Sequence, residues 1–499
     1  MGGVLKARYG FTVNLRHRLV VGGLAAAGVC LGLLAARAPL IVLVVSLGGA
    51  VLVAASLFEP LLGLGVALLL GPARAWLEIA MPGLSPYVGQ LVLAVVFLAW
   101  VTRLLWLREA VIILPPSAWT LALFIFVGLL SLLQPTDLWV GFLEWVKWLQ
   151  ILLVMGLAFD RMAKLGNRGI GITVAALLGS GLAQAAIGLW QFGIRGEGVE
   201  QFLIFNRFYR AYGTFQQPNP YAGLLGLIGA LSVGTLLQTL TDWWRDRKEA
   251  GSLLPLLWQA VPTAVLIAGL GASWSRGGWM GFGAALLVMV ALVPRRGRWG
   301  VFLVALAFAA AGVAFATGRL PASIVSRLTG FLAYVTFEDV RGVGVTDATF
   351  AVMERMAHWQ AALGMWRDNF WLGVGLGCYE PAYPAFRLIN WILPLGHAHN
   401  AYLNMAAETG LLGLVTYVLW GGGLLLNSVK AVRSSVGWQR GLALGLLGAW
   451  VHFAAHSLVD NLLVNNVHLH VAVLAALTAT LGQIHRSRAP ENGPCCWSL

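Results

Sequence analysis

Apolar runs of about 17–25 residues recur along almost the whole of this sequence, and a run of that length is what an α-helix needs to cross the hydrocarbon core of a bilayer. The chain is 59% hydrophobic and 11% charged over 499 residues, a balance that no water-soluble core requires. Membrane β-barrels show ten-residue alternation instead of continuous runs, and that pattern is absent. Only a helix satisfies its own backbone in lipid. The expected fold class is therefore an all-α polytopic membrane protein of about 12–14 transmembrane helices. Spans are expected at 19–36, 39–57, 60–71, 87–107, 117–133, 139–159, 170–192, 219–240, 257–275, 278–294, 300–317, 409–427, 441–457 and 466–482. The third is short and reads either as a separate or re-entrant segment or as part of a broken helix with the second.

The net charge is +13, but the basic residues sit in short clusters between apolar runs. That distribution argues against nucleic acid and leaves membrane lipids as the expected surroundings. Cys30, Cys378, Cys495 and Cys496 show no metal-ligand spacing and imply no disulfides. The first apolar run follows Lys6, Arg8, Arg16 and Arg18. Since more spans follow, it reads as an uncleaved first helix.

Basic residues collect on the cytoplasmic side of membrane proteins. The clusters at 6–18, 161–168, 245–248, 430–440, at Arg103 and Arg108, at Arg295, Arg296 and Arg298, and at Arg486 and Arg488 all fall on one side of a fourteen-span chain. Both termini are then expected in the cytoplasm. The organisation reads as a transmembrane bundle over 1–317, a large extracytoplasmic loop over 318–408, C-terminal transmembrane helices over 409–484 and a disordered cytoplasmic tail over 485–499. Within the loop, 351–370 has helical apolar spacing and reads as an amphipathic helix on the membrane surface, followed by Gly- and Pro-rich turns at 371–384.

Several polar residues stand where a membrane should exclude them. Arg210, in "RFYRAYGTFQQPNPYAG", and Arg276, in "SWSRGG", defy the charge trend on the outer face. Each either snorkels to lipid phosphate or pairs with a carboxylate. Two on one face beside Gly-rich turns also suit a polyanion, which guanidinium groups grip bidentately. Asn219 is expected to cap the following span, with Pro220 at its first position. In "GHAHNAYLNMAAETGLLGL" (396–414), a helix starting near His399 puts Asn400, Asn404 and Glu408 on one inward face. Gly410 and Gly413 then permit a close approach or a bend. His399 is either a hydrogen-bonded structural residue or a base working near neutral pH, and His397 reads as structural. Glu144 and Lys147 are expected to form an ion pair within a span. His456 and Asp460, four apart, could join a metal site or serve His399 or an arginine, and two ligands alone argue for no metal.

These motifs resemble those of the O-antigen ligase and O-antigen polymerase superfamily of bacterial envelope glycosyltransferases. His399, Asn400, Gly410 and Gly413 stand at the spacing of the ligase motif. "RAYGTFQQPN" and "SRGGW" resemble its two arginine motifs, and "NFWLGVGLGCY" resembles its Gly-rich segment. The similarity covers about 200–480, while the N-terminal spans match in hydropathy alone. The resemblance implies a GT-C-like fold. It also implies inverting, metal-independent and cofactor-free transfer of a glycan from a polyprenyl diphosphate carrier to a hydroxyl of lipid A–core or another envelope acceptor. His399 and Asn400 become the catalytic candidates, and Arg210 and Arg276 the diphosphate-binding ones. Asp460, Asn219, Glu408, Gly410 and Gly413 become supporting residues. A polysaccharide polymerase of the same superfamily and a bicarbonate-type anion transporter are the alternatives.

Overall fold

The structure, a computed structural model, describes residues 40–80, 85–108, 112–245, 253–330, 339–341, 343–346 and 349–486. The expected span 19–36, the basic clusters 6–18 and 246–248, Cys30, Arg488, Cys495 and Cys496 lie outside the described residues.

The chain is an all-α polytopic membrane protein. Nine helices among the described residues are long and apolar enough to cross a membrane, and three more apolar helices are shorter. The N-terminal half holds α1 (Leu40–Phe58), α2 (Pro60–Leu70), α3 (Arg74–Ala80), α4 (Ser85–Trp106), α5 (Ser117–Ser131), α6 (Leu138–Leu165), α7 (Asn167–Gly193), α8 (Pro218–Arg245), α9 (Leu254–Ala272), α10 (Arg276–Leu292) and α11 (Gly297–Ala316). A two-strand hairpin, β1 (Leu203–Ile204) with β2 (Phe208–Tyr209), lies between α7 and α8. After α11 come α12 (Ala322–Thr329), α13 (Phe350–Asp368) and α14 (Tyr379–Phe386), then α15 (Ala401–Ser434), α16 (Gly437–His456) and α17 (Val467–Arg486). Every expected span other than 19–36 coincides with one of these helices.

The short third span is a helix of its own. A Cβ on Gly63 would sit 2.0 Å from Ser56 Oγ, whereas residues seven apart in one continuous helix stand about 10 Å apart along its axis. The chain therefore doubles back at Glu59, whose carboxylate accepts from Leu61 N and caps α2. At the far end of α2, Gly71 lies against Asn466. That contact brings α2 to the end of the bundle that also carries the 193–217, 273–275, 317–330, 349–400 and 457–466 connections, here termed the loop end.

The centre is built by α8, α16 and α17, where Tyr221, Leu225, Leu231, Ala443, Leu446, Val471 and Leu474 are buried. Helices α8 and α16 pack backbone to backbone: a Cβ on Gly234 would lie 2.2 Å from Gly445 N, so glycine sets this distance of approach. The expected loop helix is present as α13. Its apolar side, including Met353, Met356, Ala361 and Met365, is buried in the protein, and it contacts α14 and α15, so protein supplies the cover that the sequence reading gave to the membrane surface.

The Gly-rich segment after α13 is what fixes this loop to the bundle. Val374 N donates to Ala407 O and Gly375 N to Glu408 O, at 2.9 and 3.0 Å, while Thr136 N donates to Val374 O. At Gly373, φ is +70° and a Cβ would fall 2.3 Å from the Glu408 carbonyl carbon, so no other residue fits there.

Candidate active site

At the loop end a cavity of ≈ 380 Å³ is lined by four arginines from four separate elements: Arg210, Arg276, Arg327 and Arg355. Asn219, Trp359, His456 and Asp460 also line it. Arg210 follows β2. Arg276 is the first residue of α10, where Ser275 caps the helix by accepting from Gly278 N. Arg327 lies on α12 and Arg355 on α13.

The turn 273–275 organises the cluster. Arg210 Nε donates to Ser273 O at 2.9 Å, and Arg327 Nη2 donates to Trp274 O at 2.9 Å. Trp274 holds a left-handed φ of +53°, which a bulky residue adopts only when its surroundings impose it. Asn219 does not cap α8 as the sequence suggested. Helix α8 already begins at Pro218, and Asn219 Oδ1 accepts instead from Ser275 Oγ at 2.9 Å and Arg210 Nη2 at 3.4 Å. Its side chain thus joins both arginine motifs. Arg355 Nε donates to Val459 O, tying α13 to the connection that carries Asp460.

Asp460 is the one carboxylate lining this cavity among the described residues. Burial and three neighbouring guanidinium groups, Arg327, Arg276 and Arg355, lower Arg210 to about 9. Burial, Arg276 and Arg355 lower Arg327 to about 10. Both stay charged at neutral pH, so the cavity holds positive charge at a cost that a bound anion would relieve.

His399 sits immediately behind Asp460 and does not itself line the cavity. Its Nδ1 is 3.7 Å from Asp460 Oδ1, beyond hydrogen-bond length, and both ring nitrogens are buried without a partner. Its φ is +51°, a strained conformation that its neighbours fix: Trp359 Nε1 donates to His399 O, Ala398 N donates to Asn404 Oδ1, and Ala401 N donates to Ser457 O. The rings of His397 and His358 lie 4.5 and 5.7 Å from it. Burial above all lowers His397 to about 4 and His358 to about 3, so both are neutral. Burial alone would raise Asp460, but the surrounding imidazoles of His399, His397 and His456 outweigh it and hold the carboxyl ionised.

Asn400 is a helix cap. Its Oδ1 accepts from Tyr402 N and Leu403 N at 3.0 and 3.1 Å, which leaves Asp460 to face the His399 ring. Asn404 and Glu408 are buried on the inward face, as expected, and serve the loop backbone: Glu408 accepts from Tyr379 N. Gly410 bends α15, with φ +65° and ψ −165°, against the backbone of Trp371. Gly413 accommodates Thr409 one turn away. Lys147 pairs with Glu144 and donates to Leu463 O.

His397, His399 and Asp460 offer ligand atoms within 4.8 Å of one another, a spacing that could hold a metal. The hydrogen bonds argue otherwise. His397 Nδ1 accepts from His399 N at 3.1 Å, so the proton of the neutral ring resides on Nε2, the atom that faces Asp460 at 3.8 Å. A protonated ring nitrogen is not a ligand. Two donors remain, fewer than a zinc site uses.

Residues 261–418 match the family model described as O-antigen ligase. The match covers less than half of the chain. The matched segment belongs to the O-antigen ligase and polymerase superfamily, a family of membrane glycosyltransferase-like enzymes that take lipid-linked glycans and acceptors. It spans α9 to the first half of α15 and contains Arg276, Arg327, Arg355 and His399. Arg210 and Asp460 enter the same cavity from outside it. No curated protein matches the chain. The matched segment also holds two cavity arginines that no sequence motif singles out. Arg327 and Arg355 lie in the loop away from any recognisable motif, among Arg319, Arg341, Arg367 and Arg387, and nothing in the sequence sets them apart from these.

Proposed function

We propose that the cavity is the active site of an O-antigen ligase-like glycosyltransferase. It would move a glycan from a polyprenyl diphosphate carrier to an acceptor hydroxyl, with inversion and without a metal. The observation that carries this reading is the convergence of four arginines on one cavity with a single carboxylate, backed by a histidine whose ring nitrogens lack partners.

The donor diphosphate lies among Arg210, Arg276, Arg327 and Arg355. Fixed guanidinium groups there stabilise the charge that grows on the leaving oxygen as the glycosyl C–O bond breaks. The acceptor hydroxyl enters on the Asp460 side. As its oxygen bonds to the anomeric carbon from the face opposite the diphosphate, its proton passes to His399 Nδ1 by way of the Asp460 carboxylate, which lines the cavity in front of the ring. Asp460 faces Nδ1 and stabilises the imidazolium that forms. The carrier departs as a prenyl diphosphate. The acceptor is a sugar or lipid hydroxyl, lipid A–core in a ligase and a second lipid-linked glycan in a polymerase. A fold related to the GT-C enzymes, and a loop end facing away from the cytoplasm of the inner membrane, belong to the same proposal. The orientation is supported by the basic residues at the opposite end of the bundle.

The test is His399→Ala in a transfer-deficient strain, with membrane levels checked by blot. The reading expects loss of transfer at normal protein level. Normal transfer by this variant would remove His399 from the base role.

A further inference from the structure

A second basic cavity, of ≈ 570 Å³, lies at the opposite end of the bundle, where the α1–α2 turn meets the end of α4 and the start of α7. Arg103 and Arg168 supply its charge, and Leu57, Phe58, Leu62 and Ile172 its apolar wall. Arg103 is held in place: its Nη1 donates to Phe58 O at 2.8 Å and more distantly to Leu57 O, carbonyls left open where α1 ends. Its Nε is buried with no partner. Glu59, the acid on this wall, is already engaged by Arg161 through Nε and Nη2 at 3.0 and 2.8 Å. Among the described residues, neither Arg103 nor Arg168 has a carboxylate within ion-pair distance.

Two cations without counter-charge above an exposed apolar wall suit an amphiphile, not a free ion. Leu57, Phe58 and Leu62 are all exposed, which for a membrane helix means exposed to lipid tails. We propose that this cavity binds an anionic phospholipid, with its phosphate between Arg103 and Arg168 and its acyl chains along Leu57, Phe58 and Leu62. The bound headgroup would fasten the α1–α2 turn to α4 and α7. The proposal is independent of the transferase reading, since it uses none of the loop-end residues.

The experiment uses the full-length protein, purified and stripped of lipid, with bound lipid counted by native mass spectrometry and stability followed by thermal melting. The probes are phosphatidylglycerol, phosphatidylcholine and inorganic phosphate. The expected result is retention of phosphatidylglycerol with a raised melting temperature, no comparable effect of phosphatidylcholine or phosphate, and an affinity lower by about tenfold or more in Arg103→Gln/Arg168→Gln. Arg168→Gln alone removes an exposed side chain outside the packed core, so it keeps the test open if the double variant misfolds, and it should also weaken retention. Equal retention by the variants, equal retention of phosphatidylcholine, or equal stabilisation by phosphate would each overturn the proposal.

Discussion

The two ends of the bundle hold their arginines in opposite ways: Arg161 is buried, and those of the loop end are half-buried. At the end away from the loop, Arg161 is buried and matched: it grips both oxygens of Glu59. Its neighbour Asp160 accepts from Trp100 Nε1 and Ile113 N and pairs with Lys164 at 3.1 Å. At the loop end, Arg210, Arg327 and Arg355 spend their donors on Ser273, Trp274, Val459 and Ala351 carbonyls and on Asn219. Carbonyls satisfy geometry and leave the charge unanswered. A matched buried arginine holds helices together, whereas a group of unmatched ones waits for an anion.

Substitutions should separate the two ends. The largest effect on folding is expected from Arg161→Leu, which strands the Glu59 carboxylate and should cost about 3–5 kcal/mol of stability; thermal melting or in-membrane protease resistance would read it, and an unchanged variant would mean the pair is idle. Arg210→Gln should instead leave stability within about 1 kcal/mol of the parent, because it removes a cation that has no carboxylate, yet lower donor affinity by about tenfold or more. Arg210→Lys should recover only part of that loss, since an ammonium lacks the two-pronged grip. Loss of fold in Arg210→Gln would erase the contrast between the ends.

A smaller effect is expected from pH. Arg210, lowered to about 9 by burial and its arginine neighbours, is charged in the free cavity below that pH, and there the affinity for the donor, a diphosphate diester with no group of its own titrating in that range, should be flat. Above it, binding must take up a proton, so affinity should fall as pH rises, measured by calorimetry at matched ionic strength. A flat profile to pH 10 would show that Arg210 does not meet the anion. The smallest effect belongs to His397→Ala. It removes a neutral ring packed against His399, 4.5 Å between ring centroids, and transfer should drop by less than about tenfold; a loss equal to that of His399→Ala would exchange their roles.

The spans were legible because hydropathy over twenty residues reports on the solvent around a helix, and the turn at Glu59 decided the one ambiguous pair. Arg210, Arg276 and His399 were legible because each stands in a short polar motif against the end of an apolar span. Asn219 misled because Asn before Pro is the usual punctuation of a helix start, and its real partners, Arg210 and Ser275, are brought to it by the fold. Arg327 and Arg355 could not be assigned from sequence for the same reason. Their approach to the cavity depends on a loop that the Gly373–Gly377 segment lashes onto α15 and on the tie from Arg355 to Val459, none of it periodic. Asp460 was visible as a partner of His456 by spacing, but the structure turns it towards His397 and His399 as well.

The central claim is that unmatched arginines, with His399 behind Asp460, do the work that a divalent metal and its carboxylates do in other glycosyl transfers. The most direct test is the initial rate of transfer from a purified polyprenyl diphosphate glycan, with the protein in detergent and EDTA in excess. The account predicts an unchanged rate for the parent and a rate at least about 100-fold lower for His399→Ala. A parent rate that collapses in EDTA and returns with Mg²⁺ would contradict it, and would make Asp460 a metal ligand.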